Sequence, residues 1–66
     1  MKMLRYIFRF KASVDEAEIT GVQTCWARSD EDALDVARAT IIKDLSVFGC
    51  TDDNLDVYGV RRDLGE

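Results

Sequence analysis

Thirteen carboxylates and no histidine set the chemistry open to this chain. Without an imidazole, no side chain has an ordinary pKa suited to proton transfer near neutrality. Paired carboxylates can serve as acid and base, but that work needs a cleft, and 66 residues leave little room for one. The serines, Ser13, Ser29 and Ser46, sit in no nucleophile motif. No catalytic residue is assigned, and a non-enzymatic protein is expected. The run Asp52-Asp53-Asn54-Leu55-Asp56 suggests an oxygen-ligand loop. It lacks the glycine and terminal glutamate of a calcium site, so no metal ligand is assigned. Two cysteines without histidine make no zinc pattern, and nothing implies a cofactor. What remains for the acids is solubility, or a field that imitates a row of phosphates.

The elements that position these acids follow from periodicity. The stretch 29–49 reads as the one helix. Ser29 is a good N-cap, and Asp32 three residues on makes a weak capping box. Asp30, Glu31 and Asp32 crowd the first turn, where the helix dipole favours negative charge, and Gly49 is placed to end the helix. A step of about 100° per residue puts Ala33, Leu34, Ala37, Ile41, Leu45 and Phe48 on one stripe. Asp44 falls beside that stripe. It is read as a border residue reaching water or a basic partner, or as a functional acid in a groove between helix and sheet.

Residues 3–12 alternate with period two. Leu4, Tyr6, Phe8 and Phe10 point one way, and Arg5, Ile7, Arg9 and Lys11 the other, which is a strand with one aromatic and one mostly basic face. Residues 13–18 read as a hairpin connection, expected to be long because no Asn-Gly or Asp-Gly marks a tight turn. Residues 19–28 form the second strand, with Cys25 and Ala27 inward and Val22, Thr24 and Trp26 outward; the reverse register would bury Trp26. After a loop at 50–54, residues 55–62 make a third strand, with Leu55, Val57 and Gly59 inward and Asp56, Tyr58, Val60 and Arg62 outward. Residues 63–66 read as a tail. The fold expected is a single α+β domain over 1–66, ββαβ, with a three-stranded antiparallel sheet in the order 2-1-3 and one helix on one face. Cys25 and Cys50 then lie at opposite ends, too far apart for a disulfide.

This topology collects charge at two ends and leaves one face bare. Asp15, Glu16 and Glu18 meet Asp52, Asp53 and Asp56 in an acidic pole, with Asp44 toward the same end. Asp30, Glu31, Asp32 and Asp35 form a second acidic group at the other. The bare face carries Arg5, Ile7, Arg9, Trp26 and Tyr58. That mixture has the aromatic and arginine enrichment of protein interfaces. It also resembles a platform for single-stranded nucleic acid, although the acidic balance of the chain, net charge −4, weighs against direct nucleic-acid binding. The first fourteen residues hold four bases and no acid, so the surfaces differ in sign. No apolar run approaches the ~20 residues of a membrane span and no secretory leader is evident. A cytoplasmic location is expected.

The layout combines a basic-aromatic first strand (MLRYIFRFK), an acidic hairpin (VDEAE) and a strand entering an acid-capped helix (WARSDEDALDVA), then closes on a strand. It resembles the small single-domain proteins of phages and mobile elements, and among them some anti-CRISPR proteins. That resemblance implies a non-enzymatic inhibitor in the bacterial cytoplasm. It would bind a host protein with a basic nucleic-acid-binding surface, such as a CRISPR effector subunit, and block its DNA site by mimicking DNA charge. Arg5 and Arg9 depart from a pure DNA mimic. The alternative expectation is an interaction or homodimerisation module using the face around Trp26, as a monomer or weak homodimer; a third is a regulatory domain with a small ligand between helix and sheet.

Overall fold

Alternation along the first strand sets the architecture. In the computed structural model, which describes residues 2–64, β1 (Leu4–Val14) is the central strand of a three-stranded sheet ordered β2-β1-β3. Both neighbours, β2 (Ala17–Ala27) and β3 (Leu55–Arg62), run antiparallel to it. Tyr6, Phe8, Phe10, Ala12 and Val14 are all buried on one side of β1. Against them lies α1 (Asp30–Leu45), the single α-helix, giving an α+β fold.

Ala33, Ala37 and Ile41 are the buried helix positions, and the two alanines let the backbone come close to the aromatic strand. Ser29 caps the helix, its hydroxyl accepting from the Asp32 N–H at 3.3 Å. The expected stripe is corrected at both ends. Leu34 is exposed at its border. The α-helix stops at Leu45, and the chain winds into a 3₁₀ turn, Ser46–Phe48. That tighter winding rotates Phe48 off the stripe, leaving it exposed. Gly49 then reverses the chain with φ +87°, its N–H donating to the Ser46 carbonyl at 3.0 Å.

The hairpin between β1 and β2 is shorter than expected. Only Asp15 and Glu16 lie between Val14 and its partner Ala17, and both have positive φ, 50° and 66°. Left-handed residues at both turn positions give the twist that continues two right-twisted strands. Asp tolerates that conformation; Glu16 is held in it by an uninterrupted ladder from Leu4↔Ala27 to Val14↔Ala17. Within this ladder Gly21 faces Phe10, and a Cβ on Gly21 would sit 2.9 Å from the Phe10 ring. The glycine makes room for the aromatic.

β3 also departs from simple alternation. Its register against β1 shifts between Ile7 and Arg9, so that Gly59 and Val60 both oppose Phe8. Gly59, at φ +64°, is the bulge residue. The bulge inverts the expected orientation beyond it. Gly59 is exposed, Val60 packs against the core, Arg61 joins the open face and Arg62 turns to the helix side. The loop at 50–54 holds a second 3₁₀ turn, Asp52–Asn54, capped reciprocally by Thr51 and Asn54. Cys25 and Cys50 are free and buried, and burial pushes both thiol pKa values up.

Candidate functional site

Three elements meet where the helix begins. Tyr6, buried on β1, donates its hydroxyl proton to Asp30 Oδ1 at 2.5 Å. Arg62, at the end of β3, donates from Nε to the same oxygen at 3.0 Å. These donors, the Tyr6 hydroxyl foremost, hold the Asp30 carboxyl below its ordinary pKa. Burial first, then the bond to Asp30, pushes the Tyr6 phenol up. Asp30 is therefore an exposed acid that also clamps helix to sheet, its carboxylate engaged by Tyr6 and Arg62. The acids expected beside it, Glu31, Asp32 and Asp35, are exposed on the first turns. A shallow cavity of about 290 Å³ lies beside the clamp, with Leu34 and Val60 on its wall.

The acidic pole is partly assembled as expected. Leu55 pairs with Ala12, which brings Asp52, Asp53 and Asp56 to the hairpin end with Asp15, Glu16 and Glu18. Two of these acids are engaged. Arg38 reaches from α1 to Asp52 Oδ1, from Nε at 3.2 Å and Nη2 at 3.1 Å, and Nη2 also donates to the Asp52 carbonyl at 2.9 Å. Lys11 pairs with Glu18 at 3.3 Å. The carboxylates of Asp15, Glu16, Asp53 and Asp56 are exposed and have no bonded partner among the described residues. Asp44 does not join them. It lies exposed at mid-sheet beside Gln23, whose Nε2 approaches it at 3.5 Å, and Gln23 in turn pairs with Phe8. Among the described residues no three His, Cys, Asp or Glu side chains converge as metal ligands.

No helix or strand among the described residues covers the face of the sheet away from α1, and pairing across it defines rows. Trp26 stands beside Arg5, Thr24 beside Ile7 and Arg61, and Val22 beside Arg9 and Tyr58. The expected interface residues Arg5, Ile7, Arg9, Trp26 and Tyr58 thus share this face. Trp26 is 57% exposed, Val22 56% and Tyr58 45%. Arg5 is held by Asp63, Nε to Oδ2 at 2.9 Å, and the Asp63 N–H donates to the Arg5 carbonyl at 2.9 Å. The expected tail is therefore tied back at Asp63, while residues 65–66 lie outside those described. Arg9 and Arg61 have no carboxylate within 4.0 Å among the described residues, and they flank a depression of about 350 Å³ floored by Ile7, Val22 and the bare backbone of Gly59. Sequence alternation misplaced Arg61; the signal for it was a glycine inside a strand pattern, which marks a bulge.

No protein-family model, curated protein or solved structure matches the chain. Among the described residues no helix is long and apolar enough to cross a membrane.

Proposed function

We propose that this is a small, acidic, non-enzymatic binding protein that docks a protein partner on its uncovered sheet face. Ile7, Val22, Trp26 and Tyr58 supply the apolar contact, and Arg9 and Arg61 supply charged anchors at its centre. The observation that carries this reading is the adjacency of exposed apolar side chains to two arginines with no carboxylate within 4.0 Å among the described residues. Aromatic and arginine side chains dominate binding energy when a partner desolvates them. The partner this face suits presents apolar side chains with carboxylates between them. The test is capture of partners from bacterial lysate by the wild type and by a Trp26→Ala/Arg9→Ser variant, side by side. A partner retained equally by the variant excludes this reading.

The charge-mimic reading, in which the protein inhibits a host nucleic-acid-binding protein such as a CRISPR effector in the bacterial cytoplasm, stands second. What supports it is the set of unengaged carboxylates, Asp15, Glu16, Asp53 and Asp56, at one end of the molecule. Replacing Asp15, Glu16, Glu18, Asp52 and Asp53 by Asn or Gln separates the two readings. Capture that survives this change but fails on the open-face variant supports the first; the reverse supports the second.

A further inference from the structure

Over Ile19–Ala27 the edge strand β2 itself has no bulge, charge or proline of the kind that keeps sheet edges from pairing. β3, the other edge, is interrupted by the Gly59 bulge and carries Asp56, Arg61 and Arg62. β2 runs eleven residues without a bulge. From Ile19 to Ala27 it carries no charge and no proline, and it is rich in β-branched and aromatic side chains. An edge of this kind is a template for another strand.

The flanks of this run indicate which strand. Glu18 precedes it and Arg28 follows it. Arg28 is exposed and has no ion-pair partner among the described residues. The two-residue turn makes Val14 and Ala17 a hydrogen-bonded pair, so the odd-numbered residues of β2 aim their backbone groups at β1. Thr20, Val22, Thr24 and Trp26 aim theirs outward.

We infer that β2 pairs antiparallel with β2 of a second copy of this chain, about a two-fold axis at Gln23. In this register Val22 faces Thr24 of the other copy, Thr20 faces Trp26, and Glu18 faces Arg28 at both ends. All outward backbone groups find partners, and both charge pairs are of opposite sign. A one-residue slip would oppose inward-facing to outward-facing side chains. A two-residue slip toward Val22 on the axis would set Trp26 against Glu18 and carry Arg28 past the end of the partner strand, opposite the turn residue Glu16. The resulting six-stranded sheet has both helices on one side and joins the two open faces on the other. The inference is independent of the open-face reading, because pairing uses the strand edge and leaves that face exposed.

Sedimentation equilibrium across a concentration series tests it. The wild type is expected to be a dimer that dissociates on dilution. Val22→Pro removes an outward N–H that the monomer does not use, so it should give a folded monomer, with folding checked by circular dichroism. Glu18→Arg sets two arginine pairs in contact and should weaken dimerisation about tenfold, as should Arg28→Glu. Combining them restores opposite charges and should return the dissociation constant to within about threefold of wild type. Asp44→Asn should tighten the dimer slightly, because two Asp44 carboxylates approach the axis beside Gln23. A wild type that stays monomeric at high concentration overturns the inference. So does a dimer that a folded Val22→Pro variant leaves intact, or a double charge reversal whose effects simply add; that last arm decides the matter if Val22→Pro does not fold.

Discussion

The two faces of β1 are made from one alternating segment, and they meet different fates. Tyr6, Phe8 and Phe10 are at most 6% exposed under the helix, whereas Arg5, Ile7, Arg9 and Lys11 stand on a surface that no helix or strand among the described residues covers. The first face is the core of the domain. The second has apolar groups enough to be an interface but arginines enough to stay hydrated. The difference teaches that a sheet with one helix has a structural side and an available side. Changes on the first should cost stability, and changes on the second should cost binding.

The sharpest way to break this comparison is a matched pair of truncations. Phe8→Ala should destabilise the fold by about 3–5 kcal/mol. A core of this size supplies only about that much stability, so the variant is expected to be largely unfolded by circular dichroism at 25 °C. Trp26→Ala, measured in the same way, should shift stability by no more than about 0.5 kcal/mol. Comparable losses would mean that the two faces are not distinct.

Between those extremes lies the bulge that sorts β3 between the faces. Gly59 has φ +64°, and a Cβ there meets no atom within 4 Å. Gly59→Ala should therefore cost about 1–2 kcal/mol through backbone strain alone, read from urea unfolding. Gly21→Ala should also destabilise, by displacing the Phe10 ring. If Gly59→Ala is neutral, the bulge does not need a left-handed residue.

A smaller effect distinguishes the clamp acid from the other exposed acids. Tyr6→Phe should lower the Tm by a few degrees at neutral pH. The sign of its pH dependence follows from the shifts. Asp30 is depressed in the folded state, so its contribution is present above the ordinary carboxylate pKa and lost as pH falls through the folded value. Tyr6 is raised, so its contribution is present below its ordinary value of 10.0 and lost as pH rises through the folded value. The difference in Tm between wild type and Tyr6→Phe should thus be greatest in the neutral range and shrink on both sides. A difference constant across pH would show that the bond contributes nothing. Smallest of all, Cys25 and Cys50 should react with a thiol reagent only slowly in native buffer, since both are buried with raised pKa. Rapid labelling of either would place it outside the core.

Most of the fold was legible because the patterns were long. Period two in β1, a capped helix with alanines on one stripe, and connections that force antiparallel pairing lead to ββαβ with β1 in the centre. The small residues Cys25 and Ala27 beside the helix start correctly put Trp26 outside. The failures came where one residue's backbone conformation decides. Asp15 and Glu16 form a tight turn without its usual glycine. Gly59 inverts the alternation, which puts Val60 and Arg62 on the helix side and Arg61 on the open face, where simple alternation does not expect it. The candidate site was legible as a composition rather than as contacts. Position along the strands brought Arg5, Ile7, Arg9, Trp26 and Tyr58 together. The partners that neutralise Asp30, Asp52 and Glu18 depend on long side chains reaching across elements, which periodicity does not encode.

Trp26 is the one tryptophan in the chain and stands on the available face, so its fluorescence reports the central claim directly. In the free protein its emission should be that of a water-exposed indole and readily quenched by iodide. In complex with the captured partner the emission should move to shorter wavelength and the quenching should fall. A stable complex in which Trp26 stays as accessible to iodide as in the free protein would contradict the account.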